Sequence, residues 1–248
     1  MSMKQIVSVQ NQDVKHLVKL QKKSYRTEHK QFIAQGLTVC TTLINQQYKC
    51  LALYLTSQAI ETHSHQFDQE LITVVSEPVM NKISTTTTPS GIVGLFQIPT
   101  PTYKPTPNGI LLYNIQDPGN MGTLIRTAAA MNIDNVFLVE GVDPYGPKVI
   151  QATAGTIAYV QIIPTNWQQF LQEHKSLSCT ALVVNNGESP TNTNLSSILI
   201  IGNEGQGLPE AVVQDCTNSV TLPMPGKTES LNAAVAGSIS MYLKKNLS

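Results

Sequence analysis

The chain has 248 residues, of which 41% are hydrophobic and 13% charged, and its formal net charge is zero. This length suits one large domain or two small ones with an ample core, and the zero net charge argues against a protein that coats nucleic acid. No apolar run is as long as a membrane span, and the first residues lack the apolar stretch of a signal peptide. The composition therefore predicts a cytoplasmic protein without a membrane anchor.

The N-terminal 30 residues are basic although the whole chain is neutral. They contain seven Lys or Arg against two acidic residues, a net charge of +5, so the remainder carries −5. A concentrated basic patch can bind phosphates, whereas the alternative is a solvated helix face, and basic residues alone do not decide between them. The phosphate-binding candidates are Lys19, Lys22, Lys23 and Arg26.

The first part of the chain is typical of a mixed α/β domain. A basic helix is predicted around residues 12–23 and a second helix around 37–47, with strands at 50–56, 71–75 and 91–96. The segment "IPTPTYKPTPNG" that follows holds four Pro, which disfavour helices and interior strands. We therefore predict a domain at residues 1–98, a Pro-rich linker at 99–108 and a second domain at 109–248.

The second domain alternates apolar strands with helices, from "GILLYNI" at 109–115 to a long final helix that begins at about residue 229. This pattern indicates a covered, mostly parallel sheet. Ligands bind such sheets at the loops that follow strands. The candidate loops are "NMGTLIR" at 120–126, "GNEGQGLPE" at 202–210 and "PMPGKTESLNAAVAG" at 223–237.

The tripeptide Gly226-Lys227-Thr228 also occurs at the end of ATP- and GTP-binding P-loops. The complete motif requires a Gly five residues earlier, where this chain has Thr221. Pro223 and Pro225 would lie inside the loop and have no backbone N–H to offer a phosphate. Nucleoside triphosphate binding is therefore kept only as a competing hypothesis.

Metal and disulfide chemistry receive no support from the sequence. The four cysteines, at positions 40, 50, 179 and 216, show no C-x-x-C spacing, so neither a zinc site nor a disulfide framework is predicted. The pair His63 and His65 lacks further ligand residues nearby and is more simply explained as solvated.

Three ordered motifs make the chain resemble the SpoU (TrmH-type) family of RNA ribose 2′-O-methyltransferases, in the SPOUT class. The first motif, N-x-G-x-x-x-R, is matched by Asn120, Gly122 and Arg126. The second, G-N-E-x-x-G, is matched by Gly202, Asn203, Glu204 and Gly207. The third is matched by Pro223, Met224, Gly226, Ser230, Leu231 and Asn232.

The resemblance extends over nearly the whole chain. The stretch "RTEHKQFIAQG" at 26–36 looks like the family's substrate-binding domain, with Gln35 where Glu is usual. In the third motif Ala233 and Ala234 stand where the family more often has Val and Ser, so this chain lacks one hydroxyl at that position.

The resemblance implies a fold, a methyl donor and partners. The expected fold is α/β, with a C-terminal knotted (trefoil) SPOUT methyltransferase domain preceded by a small α/β RNA substrate-binding domain. The expected donor is S-adenosylmethionine, without a metal, and the expected partners are RNA and a second copy of the chain in a homodimer. Small residues in "AAVAGSIS" at 233–240 would let a partner helix approach closely, or else pack within one chain.

The resemblance also assigns residues to the site. The catalytic candidates are Asn120, Arg126, Glu204, Ser230 and Asn232. The donor-binding candidates are Gly202, Leu222, Met224, Gly226 and Leu231. The basic candidates of the N-terminal segment become RNA-binding candidates. Glu204, Ser230 and Asn232 would orient Arg126 and the ribose, although Ser230 has the simpler alternative of capping the last helix and Leu222 and Leu231 that of ordinary core.

Two questions stay open at this level. Arg126 is either a base or, as we prefer, a group that holds an RNA phosphate and stabilises developing negative charge, because Arg normally stays protonated. The predicted function is ribose 2′-O-methylation of RNA, with ribosomal RNA favoured by analogy. The alternatives are transfer RNA as the substrate, or a catalytically silent RNA-binding protein of the same fold.

Overall fold

The computed structural model describes residues 3–102, 106–190, 197–227 and 230–246. Contacts divide the chain into two compact units, one of Met1–Thr100 with Tyr145–Ala158 and the other of Pro101–Pro144 with Tyr159–Ser248. The sequence predicts two continuous domains, whereas residues 145–158 pack with the first unit instead.

The described part of the chain forms short strands and helices in alternation. The strands are β1 Lys4–Ile6, β2 Gln31–Gln35, β3 Cys50–Leu55, β4 Ile72–Val75, β5 Ile92–Gln97, β6 Gly109–Tyr113, β7 Asn135–Val139, β8 Gln161–Thr165, β9 Cys179–Leu182, β10 Ile198–Ile201 and β11 Asn218–Val220. The α-helices are α1 Gln12–Lys19, α2 Lys23–His29, α3 Leu37–Asn45, α4 Ser57–His63, α5 Glu77–Ile83, α6 Pro118–Ala130, α7 Pro147–Thr153, α8 Trp167–Glu173, α9 Glu210–Asp215 and α10 Ala233–Asn246.

The first unit is built on a mixed five-stranded sheet in the order β1-β4-β3-β5-β2. Strands β1, β4 and β3 run parallel, and β5 runs antiparallel to both β3 and β2. The inserted segment 145–158 packs α7 on β2, and the ring of Tyr145 lies 5.1 Å from that of Phe32. Burial of the Tyr145 ring explains why these residues join the first unit.

The basic helix predicted around 12–23 is the shorter α1, which ends at Lys19, and a second helix that the sequence pattern did not indicate, α2, begins at Lys23. Leu20 is fully buried at the end of α1, and the chain turns there before α2 begins. Arg26 lies 4% exposed, and its Nη1 donates to the Leu20 carbonyl oxygen at 2.6 Å. The guanidinium thus satisfies one of the carbonyl groups that the end of a helix leaves without an intrahelical partner.

The second unit contains a six-stranded sheet in the order β11-β9-β10-β6-β7-β8, with every adjacent pair parallel. The prediction of a mostly parallel α/β sheet is confirmed. Because all strands point the same way, the segments that follow β6, β9, β10 and β11 emerge at one edge of the sheet.

Two helix starts differ from the prediction. The sequence predicts the helical run "TLIRTAAAMNI" from Thr123, whereas α6 already begins at Pro118 behind the capping side chain of Asp117, so the candidate loop 120–126 lies entirely in this helix. Proline at the first helical position is favourable because its missing N–H would have no partner there anyway. Helix α10 begins at Ala233 rather than near 229, and positions 228 and 229 lie outside the described residues.

The small residues of α10 serve packing inside the chain. A Cβ on Gly237 would lie 2.6 Å from Leu124 Cδ2 of α6 and 2.8 Å from Ile201 Cδ1. The hydroxyls of Thr127 and Ser238 form a hydrogen bond of 2.9 Å between the same two helices. The small residues at these positions therefore allow α10 to approach α6 closely. Over the part of the chain that the structure describes, no helix is long and apolar enough to cross a membrane.

Candidate active site

The segment after β10 forms a rigid turn at the carboxyl edge of the parallel sheet. The backbones of Asn203 and Gly207 exchange two hydrogen bonds, of 3.2 and 3.0 Å. The Asn203 side-chain oxygen accepts from the backbone N–H groups of Gly205 and Gln206. A Cβ on Gly202 would lie 2.6 Å from the Gly207 carbonyl carbon, so the close approach of the two backbones requires glycine at position 202.

Glu204 projects from this turn and joins it to the start of α6. Its Oε2 accepts from the Gln116 backbone N–H at 3.2 Å, and its Oε1 accepts from the Asp117 backbone N–H at 3.1 Å and from Asn120 Nδ2 at 3.0 Å. Partial burial acts to raise the pKa of this carboxyl, but the hydrogen bonds outweigh it and hold the pKa of Glu204 below its usual value. The side chain is therefore a carboxylate acceptor at neutral pH.

Asn232 extends the network to the last helix. Its Nδ2 donates to Asn120 Oδ1 at 3.1 Å, and its Oδ1 accepts from the backbone N–H groups of Ala234 and Val235 at 2.8 and 3.3 Å. Asn232 is thus the N-cap of α10, the alternative role considered for Ser230. The structure brings three of the predicted catalytic residues into one network, in the order Glu204, Asn120, Asn232.

Arg126 and Ser230 lie outside this network. Arg126 is exposed on α6, six residues after Asn120, and at 100° per residue the two side chains point to different faces of the helix. Among the residues that the structure describes, none forms a hydrogen bond or ion pair with the Arg126 side chain. The expected orientation of Arg126 by Glu204, Ser230 and Asn232 is therefore not seen; Ser230 is exposed and lies beside a pocket instead.

A pocket of about 220 Å³ adjoins the network at the same edge of the sheet. Four of the five predicted donor-binding residues line it, together with Ser230 and Glu204; the four are Gly202, Leu222, Met224 and Leu231. Gly226 does not line the pocket. Its wall also includes Leu182 at the end of β9 and Val183 and Val184 just after it. The sequence did not lead to these three residues, although an apolar strand ending at this edge was a usable signal.

The four cysteines have raised pKa values, and the described residues contain no metal-binding cluster. Burial raises the pKa of Cys40 and Cys216 to about 12, and that of Cys50 and Cys179 to about 11. A thiol with so high a pKa is not a thiolate nucleophile at neutral pH. Within residues 3–102, 106–190, 197–227 and 230–246, no group of three or more His, Cys, Asp or Glu could hold a metal ion.

Three of the four residues predicted to bind RNA in the basic N-terminal segment are exposed to solvent. Lys19, Lys22 and Lys23 are exposed on or beside α1 and α2. Arg26, by contrast, is buried against the Leu20 carbonyl group. A guanidinium in that position supports the turn between the helices, and we do not include it in an RNA-binding surface.

Both units of the chain are matched by models of known protein families. The model of the SpoU rRNA methylase family matches residues 107–242, more than half of the chain, and the model of the MRM3-like substrate-binding domain matches residues 11–94. The chain belongs to the SpoU rRNA methylase family. The predicted family is confirmed, and with it the prediction of an RNA methyltransferase.

Similar proteins cover the SpoU chain almost from end to end. The 23S rRNA (guanosine(2553)-2′-O)-methyltransferase RlmP of Bacillus subtilis is 29% identical over 252 residues, which covers 97% of this chain and 98% of the relative. The structure of an AdoMet-bound rRNA methyltransferase from Sinorhizobium meliloti has a TM-score of 0.87 at 26% identity, with 98% of each chain covered. A putative TrmH-family RNA methyltransferase from Porphyromonas gingivalis has a TM-score of 0.85 at 28% identity, and covers 97% of this chain and 100% of its own.

The three SpoU motifs converge at one edge of the sheet. Asn120 of the first motif, Glu204 of the second and Asn232 of the third are linked by hydrogen bonds, and the second and third motifs also wall the pocket. Residues 84 and 112 positions apart in sequence are thus bonded to one another beside the pocket. Ala234, which departs from the family pattern, is 3% exposed inside the last helix.

Proposed function

We propose that this SpoU methyltransferase transfers the methyl group of S-adenosylmethionine to a ribose 2′-hydroxyl of ribosomal RNA. The observation that carries the proposal is the pocket of about 220 Å³ built from the second and third motifs, beside the Glu204–Asn120–Asn232 network. The name of the Bacillus relative, a 23S rRNA 2′-O-methyltransferase, and the AdoMet-bound Sinorhizobium structure support the same substrate and donor.

The pocket suits the adenosyl part of the donor. Leu222 is nearly buried and Leu231 partly exposed at its wall, which gives apolar surfaces for a base and a methionine chain. The tight turn from Gly202 to Gly207 presents backbone groups at close range. Gly202, Leu222, Met224 and Leu231 would hold the donor, and Gly226 would act through the shape of its loop. When bound, the donor supplies the electrophilic methyl group.

The chain's own residues must position the acceptor and assist loss of its proton. A ribose hydroxyl is a poor nucleophile, so a base or a positive field must help as the C–S bond breaks and the O–C bond forms. The Glu204–Asn120–Asn232 network fixes the loops around the acceptor. Arg126, which is exposed on α6, would bind an RNA phosphate and stabilise negative charge on the 2′-oxygen as its proton passes to water. Ser230, at the pocket wall, would contact the ribose.

The cellular location, the oligomeric state and the knot expected of the family are also part of the proposal. We place the protein in the cytoplasm as a homodimer, and we propose that its second unit contains the trefoil knot. The homodimer is supported by an exposed apolar stripe on the last helix, formed by Val235, Ile239 and Tyr242 and preceded by the exposed Leu231. A two-fold pair is the commonest arrangement for such a self-complementary surface.

The test combines donor binding with methyl transfer. Calorimetry should show saturable binding of S-adenosylmethionine and none of ATP. Ribosomal RNA from cells that lack the gene should accept a methyl group, and a matching fragment with a 2′-deoxy target nucleotide should not, because only the hydroxyl is the acceptor. Equal methylation of the deoxy fragment would place the chemistry on a base. Methylation of transfer RNA alone would overturn ribosomal RNA as the substrate. Donor binding without any methyl transfer would overturn the enzymatic activity.

A further inference from the structure

The first unit carries a cluster of three rings, His16 of α1 with Tyr25 and His29 of α2, which we name the ring cluster. The ring centroids of Tyr25 and His29 are 4.1 Å apart with planes tilted by 43°, and His16 meets both rings edge-on at 5.4 and 5.2 Å. None of these residues belongs to the methyl-transfer site in the second unit. The methyl-transfer site therefore does not explain the ring cluster.

Hydrogen bonds hold the inner members of the ring cluster in place. His16 Nδ1 is 3.0 Å from the Tyr25 hydroxyl, and His16 Nε2 is 2.7 Å from Gln31 Oε1. Because the Gln31 oxygen can only accept, His16 Nε2–H donates to it, and the second ring nitrogen shares a hydrogen bond with the Tyr25 hydroxyl. His16 and Tyr25 are half-buried, whereas the His29 side chain is 36% exposed. His29 is thus an outer ring backed by a fixed inner pair.

The surroundings of the ring cluster are strongly basic. Exposed lysines occupy the same two helices and their flanks; they are Lys15, Lys19, Lys22, Lys23 and Lys30. Lys19 Nζ lies 5.6 Å from the centroid of the Tyr25 ring. The neighbouring acids are Asp13, whose carboxylate pairs with Lys4 at 2.6 Å, and Glu28, 3.9 Å from His29 Nε2. Positive charge around an exposed ring is the arrangement with which proteins bind single-stranded nucleic acid.

We propose that the ring cluster is a docking site for an unpaired nucleotide of the substrate RNA. His29 stacks on the base, the inner rings keep His29 in position, and Lys19 and Lys22 bind the flanking phosphates. An unpaired nucleotide fits better than a duplex because paired bases in an RNA helix hide their faces. This assignment rests on the proposed function, since it takes RNA as the substrate of the full chain.

The test separates stacking from charge. The full-length protein is titrated with oligoadenylate and with an oligomer of equal length and phosphate number in which every base is absent. His29→Ala should weaken oligoadenylate binding by at least roughly fivefold, the lower end for loss of one base–aromatic stack, and leave binding of the abasic oligomer unchanged. His29→Phe, which keeps a ring, should restore the affinity. His65→Ala, an exposed histidine elsewhere in the unit, is the matched control and should have no effect.

Lysine variants provide the complementary measurement. Lys22→Ala should weaken both oligomers alike and lower the log–log salt slope by roughly 0.7–0.9 per lost phosphate contact, whereas His29→Ala should leave the slope unchanged. Equal affinity of wild type and His29→Ala for oligoadenylate would remove the ring cluster as a docking site. Equal losses on both oligomers, or failure of His29→Phe to restore binding, would do the same.

The outcomes also distinguish this inference from the proposed function. If His29→Ala has no effect while the protein still binds S-adenosylmethionine and methylates RNA, only the docking site is wrong. If the wild-type protein binds neither oligomer and transfers no methyl group to ribosomal RNA, the proposed function fails, and the docking site fails with it.

Discussion

At the scale of the residue, two arginines show how similar side chains take different roles. Arg26 is 4% exposed and donates to a helix-end carbonyl group, whereas Arg126 is exposed and has no bonded partner within the described parts of the chain. Arg126 can therefore reach a substrate from the surface of α6, which keeps it in the proposed contact with RNA.

The prediction at this scale concerns Arg126→Lys. Lysine keeps the positive charge but loses the planar fork that grips a phosphate with two hydrogen bonds. We expect turnover to fall on the order of 10²–10³, the usual cost of removing one positioned charge-stabilising donor. Donor affinity and melting temperature should stay at wild-type values because the side chain is exposed. Transfer at the wild-type rate would show that Arg126 has no special role.

At the scale of the element, α10 contributes two different faces. Its small residues allow close packing on α6, and a methyl group on Gly237 would meet Leu124 and Ile201, which are 0% and 1% exposed. Its N-terminus is capped by Asn232, which also binds Asn120. The position of the last helix is thereby coupled to the network of the candidate active site.

The prediction for this element is a loss of stability in Gly237→Ala. Alanine favours a helix over glycine by about 1 kcal/mol, but overpacking a buried contact typically costs about 1–3 kcal/mol. We expect the substitution to lower the free energy of unfolding, as measured by urea titration. Gly226→Ala is the control, because a Cβ there meets nothing within 4 Å. A more stable Gly237→Ala would mean that the two helices pack less tightly than the structure indicates.

At the scale of the whole molecule, the exposed face of α10 bears on assembly. Val235, Ile239 and Tyr242 are 46%, 41% and 57% exposed, and their spacing of four and three residues places them on one side of the helix. Leu231, just before the helix, is 38% exposed and also borders the pocket. An apolar stripe of this kind is typical of a surface that is covered by a partner.

We predict that the chain forms a homodimer through this stripe. Sedimentation should give twice the chain mass of 27.0 kDa for the wild-type protein. Val235→Lys combined with Ile239→Lys should shift the mass to that of one chain, because each lysine would bury an unpaired charge. Gln12→Lys with Gln21→Lys adds the same charge to exposed positions of the first unit and should remain dimeric. A monomeric wild type would exclude the proposed assembly.

The sequence by itself determined the class of fold and the family. Fully apolar strands that alternate with helices require a covered parallel sheet, and the three motifs keep their order and spacing along the chain. Both are properties of short segments, so they can be recognised before the chain is folded. The position of most pocket residues followed as well, because such motifs lie at the carboxyl ends of strands.

Only the tertiary structure decided which of these residues meet. The burial of Arg26 depends on the break between α1 and α2, and the association of residues 145–158 with the first unit depends on the packing of Tyr145 on Phe32. The side to which Arg126 points depends on how α6 packs against α10. The contact between Tyr145 and Phe32 joins residues far apart in sequence, and local composition does not specify which surfaces such a contact buries. The bond between Arg26 and Leu20 is local, but it forms only where the chain turns after α1.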